Sequence, residues 1–331
     1  MSPSKETQAA LDLQLPTGRK MPILGYGTFL ANDEEELKVA LRSALDAGYR
    51  KIDTALIYNN EHVIGEILQE YFQNGKLKRD DIFVTTKLWH NYMESKERIK
   101  QGIQRSLKNL KLDYVDLYLV HLPIGRQFTT EDELNPIDEN GNGKFSNADL
   151  CEVVWRGMEN LVDAGLTKSI GVSNFNSKQI ERINKVARIP IANNQIEIHS
   201  FFQQWDLVKF CQDNGITVTA YSPLAAPGAS FRPQDADTNP LICPIVKEIA
   251  EKYKKTPAQI LLRSLLERNI AIIPKSVTLK RISENLDIFD FKLDEDSRKK
   301  LKSLDKGLRI FKQDWQKGMV EHPEYPFNIP F

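Results

Sequence analysis

What the chain lacks narrows it first. Its three cysteines, Cys151, Cys211 and Cys243, are odd in number, widely separated and without a CxxC pair, so no disulfide framework is expected and a reducing compartment fits better. No run of about 18 apolar residues occurs, the length that a membrane-spanning helix needs. The stretch Met1-Ser2-Pro3-Ser4-Lys5 lacks the basic-then-apolar pattern of a secretory leader, and a soluble cytoplasmic protein is expected. An excess of one charge is missing too. The 45 Lys and Arg balance 45 Asp and Glu, and no basic block stands apart, so neither nucleic acid nor a membrane is an expected partner. The five histidines form no HxxxH pair, and no metal site is expected. Gly25-Tyr26-Gly27 begins a GxG, but Leu30 stands where a third glycine would fall, which excludes a Rossmann phosphate loop.

What is present is material for a large core: 41% hydrophobic residues, with 15 Phe, 10 Tyr and 4 Trp. Leu11 to Leu15, the turn residues Pro16-Thr17-Gly18, and Met21 to Leu24 predict a hairpin or barrel plug. From Ile23 onward the chain alternates. A helix with Leu37, Ala40, Leu41, Ala44 and Leu45 on one face ends at Gly48 and leads into an Ile52-Asp53 strand. Val63, Ile64, Ile67 and Leu68 mark a second helix before the strand 81–87, and helix 94–110 precedes the strand 115–121. The polar stretch 123–148 is too long for an ordinary connection and reads as a functional loop. Helices over 150–163, 177–187, 203–213 and 241–254 lead to strands at 169–173, 193–198, 216–220 and 270–273, and a last helix falls near 281–288.

Eight strand-helix units with mostly apolar strands imply parallel strands buried on both faces. The expected fold is an α/β (β/α)8 TIM barrel, in preference to an open doubly wound sheet: one domain over 1–331, with an N-terminal β-hairpin plug, the barrel over about 23–293, long βα loops, and a C-terminal tail over about 305–331 that covers the active site. Asp53, Lys87, His121, Ser173, Gln195, Tyr221 and Lys275 all fall at or just past C-terminal strand ends, where a barrel collects its chemistry.

The stretch Lys51 to Glu61 sets an acid, Asp53, and a phenol, Tyr58, at one strand end. A phenol of pKa ~10 needs a nearby cation to release its proton at neutral pH. Lys87 supplies one, and beside Tyr58 it is expected to lower the tyrosine's pKa while Asp53 keeps it charged and oriented. His121, at the next strand end, is placed to hydrogen-bond a reacting oxygen.

These residues stand in longer motifs: Gly48-Tyr49-Arg50-Lys51-Ile52-Asp53-Thr54-Ala55, Leu112 to His121, Gly171-Val172-Ser173-Asn174-Phe175-Asn176, and Ile273-Pro274-Lys275-Ser276-Val277-Thr278. Together they resemble the aldo-keto reductases over about Ile23 to Leu293, in particular the aldose- and aldehyde-reductase-like members, with the insect-type ketone and ecdysteroid reductases as one suggested branch. The resemblance implies a catalytic tetrad of Asp53, Tyr58, Lys87 and His121, all intact. It implies NADPH as cofactor, held by Gly27, Thr28, Asp53, Ser173, Asn174, Gln195, Tyr221, Ser222, Leu224, Lys275, Ser276, Val277, Thr278, Arg281, Glu284 and Asn285. Ser173, Asn174 and Gln195 would take the carboxamide, Tyr221 would stack on the nicotinamide, and Lys275, Ser276 and Arg281 would meet the 2′-phosphate. The implied substrate pocket comprises Phe29, Ile57, Tyr58, Trp89, His121 and Leu122. Aldose-reductase-like members commonly carry Trp at the positions of Phe29 and Leu122. An apolar pocket for lipophilic, aromatic or steroid-like aldehydes and ketones is therefore expected rather than a sugar site. The implied partner is a small-molecule carbonyl substrate, and the chain is expected to act as a monomer. Some relatives of this fold bind NADPH as accessory or structural proteins; the intact tetrad argues for an enzyme.

Overall fold

The computed structural model describes residues 12–229, 237–329 and 331. Strands β1 (Leu13–Gln14) and β2 (Lys20–Met21) pair antiparallel, with Leu13 opposite Met21. Their turn reaches residues that lead into two barrel strands: the Thr17 and Ser169 hydroxyls lie 2.8 Å apart, and Arg19 pairs with Asp116 at 2.9 Å. With Leu13, Leu15 and Met21 buried, the hairpin plugs that mouth of the barrel as expected. The expected start at Leu11 lies outside the described residues.

The following strands are β3 (Tyr26–Gly27), β4 (Lys51–Asp53), β5 (Phe83–Leu88), β6 (Leu117–Val120), the small pair β7 (Gly125–Arg126) and β8 (Phe145–Ser146), then β9 (Ile170–Ser173), β10 (Asn193–Glu197), β11 (Thr217–Tyr221) and β12 (Ala271–Ile272). Leaving out β7 and β8, they form an eight-stranded sheet in the order β12-β11-β10-β9-β6-β5-β4-β3, parallel throughout. The ends of that sheet meet. Gly25 N–H donates to Ile272 O and Ile272 N–H to Ile23 O, each at 2.8 Å, which closes a (β/α)8 barrel.

Helices α1 (Glu34–Ala47), α2 (Glu61–Gln73), α3 (Lys96–Leu110), α4 (Arg156–Asp163), α5 (Ser177–Asn184) and α6 (Trp205–Asp213) return the chain between strands. Helices α7 (Pro244–Tyr253) and α8 (Pro257–Leu266) both lie between β11 and β12, and α9 (Leu279–Leu286) and α10 (Glu295–Lys302) follow. In α1 the Asp33 side chain accepts from Glu36 N–H, the expected five apolar residues are buried, and Gly48 at φ 111 closes the helix.

Helix α8 is absent from the sequence-based expectation. Thr256-Pro257 reads as a break, yet a proline in the first helical turn loses no intrahelical bond, and Thr256 and Gln259 cap each other reciprocally. Expected ends also drift where capping decides them: α3 starts one residue after its Ser95 cap, α5 stops at Asn184, and the helix expected over 150–163 opens with a π-helical turn at Leu150–Trp155. Strand β10 departs from the apolar rule, since all of Asn-Asn-Gln-Ile-Glu is buried; its inward side chains carry part of the site.

The long loop is tied down at both ends of its path. The β7–β8 pair spans it, the Trp89 indole N–H donates to Leu134 O at 2.9 Å, and Gly143 N–H donates to Lys317 O at 3.0 Å. It therefore joins the barrel mouth to the C-terminal tail. Among the described residues, no helix is long and apolar enough to cross a membrane, and no cluster of three or more His, Cys, Asp or Glu could hold a metal ion.

Candidate active site

Alternation along β4 and β5 turns Asp53 and Lys87 inward at adjacent strand ends. Lys87 is fully enclosed (0% exposed), and its ammonium donates to Asp53 Oδ1 at 2.6 Å and to Thr54 O at 2.8 Å. Its third contact is a longer one, to the Tyr58 hydroxyl at 3.4 Å. The short 3-10 turn Leu56–Tyr58 places that hydroxyl, with Asn59 in the left-handed region closing the turn. The His121 ring stands 5.8 Å from the Tyr58 ring and 5.1 Å from Trp89, centroid to centroid. All four expected tetrad residues thus meet at one point of the barrel mouth.

The protonation states follow from burial. The Tyr58 phenol is pushed well above its ordinary value, first by burial and then by the Asp53 carboxylate. This corrects the expectation that Lys87 would lower it. Asp53 sits closer to Lys87 than Tyr58 does and takes up most of that cation's field, so the phenol keeps its proton at neutral pH. Burial, aided by Lys87 and His90, holds His121 well below the usual histidine range, leaving it neutral with one N–H and one lone pair. Burial pulls Lys87 down while Asp53 pulls it up.

The other expected polar residues form a connected wall. Gln195 Nε2–H donates to Asp53 Oδ2 at 2.6 Å, the Ser173 hydroxyl donates to Gln195 O at 2.8 Å, and Asn174 Nδ2–H donates to His121 O at 3.0 Å. Tyr221 O–H donates to Asn174 Oδ1 at 2.8 Å, which fixes the tyrosine ring. Asn174 reaches this position with φ at 62, a conformation asparagine tolerates.

A cavity of about 1020 Å³ opens onto this wall and runs to the start of α9. Every expected site residue lines it except Lys87, which lies behind Asp53 and Tyr58. At one end are Tyr58, His121, Phe29, Ile57, Trp89 and Leu122; at the other are Lys275, Ser276, Val277, Thr278, Arg281, Glu284 and Asn285. Gly27 borders it where a Cβ would stand 2.5 Å from Ile273 O, so only glycine fits there. The lining thus combines amide and hydroxyl side chains, Ser173, Asn174 and Gln195, with the basic groups of Lys275 and Arg281.

Sequence reasoning named the tail as a whole but missed its individual contributors. Phe311, Gln313 and Trp315 line the cavity, as does Asn135 from the long loop. Phe311 meets Tyr221 at 5.6 Å and Phe29 at 6.1 Å between ring centroids. The aromatic residues of an otherwise irregular tail were the available signal.

Comparison with known proteins agrees with this geometry. The model of the Aldo/keto reductase family matches residues 23–306. The chain is 41% identical to aldo-keto reductase family 1 member A1 of Gallus gallus, over 96% of this chain and 97% of that protein. It is 39% identical to prostaglandin F synthase 1 of Bos taurus, over 96% and 97% respectively. The structure of the aldose reductase from Schistosoma japonicum superposes with a TM-score of 0.88 at 42% identity, covering 97% of this chain and 99% of that one.

Proposed function

The chain belongs to the aldo/keto reductase family, as an NADP-dependent oxidoreductase that reduces carbonyl groups, and we propose that it uses NADPH to reduce lipophilic or aromatic aldehydes and ketones with Tyr58 as the general acid. When bound, the cofactor supplies a hydride from its nicotinamide C4 to the carbonyl carbon. Ser173, Asn174 and Gln195 would hold the carboxamide, Tyr221 would carry the ring, and Lys275, Ser276 and Arg281 would bind the 2′-phosphate. The remaining steps fall to this chain's side chains. Neutral His121 directs its N–H at the carbonyl oxygen and orients it, and Tyr58 gives that oxygen its proton as negative charge develops there. The departing proton leaves a phenolate, which Lys87 stabilises from 3.4 Å. Asp53 keeps Lys87 charged and aimed.

The observation that carries this reading is the Asp53–Lys87–Tyr58 chain ending beside His121 at the floor of the cavity. Phe29, Trp89, Leu122 and Phe311 give that floor apolar and aromatic walls, which supports a lipophilic carbonyl substrate, a steroid-like ketone included. Most buried hydrophobic residues form one cluster, with a smaller one beside it around α7, α8 and α10, and the closed barrel that they surround supports a single domain. The test is NADPH oxidation in the presence of an aromatic aldehyde. Tight NADPH binding without turnover would instead identify an accessory or structural protein of the same fold.

A further inference from the structure

The geometry points to Glu197 as a positioning residue that sets the width of the carbonyl pocket by fixing Phe311, an inference that rests on the carbonyl-reductase reading above. Glu197 ends β10 in register with Tyr221 and is fully enclosed (0% exposed). Its carboxylate accepts three hydrogen bonds: Ile310 N–H at 2.7 Å and His199 Nε2–H at 3.0 Å on Oε1, and Phe311 N–H at 2.9 Å on Oε2. His199 is itself buried, so the carboxylate and the imidazole form an enclosed, charge-assisted pair that two amides of the partly buried tail join.

Two of the three donors are consecutive backbone amides. Capturing both fixes the peptide planes on either side of Ile310, and with them the direction in which the Phe311 side chain leaves the tail. That ring then stands between Tyr221 and Phe29, and Phe29 in turn lies 5.0 Å from the Tyr58 ring. The segments on either side of the clamp are held by other means: Lys306 and Leu308 N–H donate to Phe201 O, and Tyr325 O–H donates to Lys312 O. Glu197 thus links a barrel strand to a pocket wall without touching the cavity itself. A carbonyl compound large enough to press on Phe311 feels the clamp, whereas a short aldehyde seated at Tyr58 and His121 does not.

The test pairs Glu197→Gln with Phe311→Ala and the double variant. Glutamine keeps the shape of glutamate but turns an NH2 donor toward N–H donors, so the clamp opens without leaving a hole. For Glu197→Gln, amide hydrogen exchange at residues 310 and 311 should accelerate about tenfold or more. The KM for a bulky aryl ketone should rise about tenfold with kcat within about threefold, while both constants for propanal stay within about twofold. Phe311→Ala should raise the aryl ketone KM similarly, and adding Glu197→Gln to it should change that KM by less than about twofold. Should Glu197→Gln not fold, Glu197→Asp, which keeps the charge and loses reach, should move the same quantities in the same direction by less. Unchanged exchange at 310 and 311, equal losses for both substrates, or additive effects in the double variant would each overturn the proposal. Absence of any NADPH-dependent turnover by the unaltered protein removes the carbonyl-reductase reading and the specificity role together; the exchange measurement then reports on the clamp alone.

Discussion

One carboxylate serves two neighbours: Asp53 accepts from Lys87 on Oδ1 and from Gln195 on Oδ2, both at 2.6 Å. The residue expected to hold the cofactor's carboxamide is therefore fixed by the same anion that orients the cation behind Tyr58, the proposed proton donor. Replacing that anion should be felt on both sides. Asp53→Asn leaves Lys87 as a buried charge without a counter-ion, which should cost about 3–5 kcal/mol of stability. Turnover should fall about 100-fold, and NADPH affinity should weaken about three- to tenfold. Denaturant unfolding, steady-state kinetics and fluorescence quenching by NADPH measure the three effects. Loss of turnover alone, with NADPH affinity intact, would separate Gln195 from this network.

Tyr58→Phe removes the phenolic proton that the proposed mechanism transfers, and almost nothing else. The value of kcat/KM for an aromatic aldehyde should drop by about 100- to 10,000-fold, with NADPH affinity within about threefold of the unaltered protein. Because burial and Asp53 raise the phenol's pKa, the protonated acid persists to high pH. Any loss of reduction rate through ionisation of Tyr58 should begin only above the ordinary phenol range of about 10. A kcat/KM profile that already falls near neutral pH because Tyr58 ionises would contradict this placement of the proton.

Cofactor choice is expected at the far end of the cavity. Lys275 and Arg281 line it there, with Ser276 between them in sequence. Arg281→Met should weaken NADPH binding by about 10- to 100-fold and leave NADH within about twofold, since only NADPH carries the phosphate. Lys275→Met should act in the same direction. Titration of both cofactors into each variant decides the matter, and parallel losses for NADPH and NADH would assign these residues to the shared part of the dinucleotide.

Lys51 supplies a stability test apart from activity. It is buried inside the barrel with its ammonium lacking a hydrogen-bond partner, and burial draws its pKa down to about 8, with Asp53 and Asp12 opposing. The unfolded chain holds that proton up to about 10.4, so across the window from about 8 to 10.4 unfolding takes up a proton and the lysine's penalty on the fold fades as pH rises. Lys51→Met should therefore stabilise the protein by about 1–3 kcal/mol near neutral pH, and the gain should shrink toward about pH 10. Unfolding titrations at the two pH values check both the sign and the trend; a loss of stability near neutrality would show that Lys51 has a compensating partner.

The barrel, and the meeting of Asp53, Tyr58, Lys87 and His121 at its mouth, were legible because they lie in local pattern. Periodicity marked the buried face of α1, and Asp53, Lys87 and His121 each fell at or next to the C-terminal end of a strand. Helix α8 was lost because Pro257 reads alike as a helix start and as a break, and only the reciprocal cap of Thr256 and Gln259 separates the two. The Tyr58 pKa runs opposite to the local expectation for a related reason. Sequence placed a cation near the phenol but not the closer carboxylate that absorbs its field, nor the burial that outweighs it.

By itself the sequence determined which chemical groups reach the barrel mouth, because strand alternation and strand ends are set by neighbouring residues. Tertiary structure alone decided how far apart those groups stand, which carboxylate faces which donor, and that the tail at Ile310 and Phe311 docks on Glu197 more than a hundred residues earlier. Such distances arise from closing the ring of strands and packing the tail across it. No local segment encodes them.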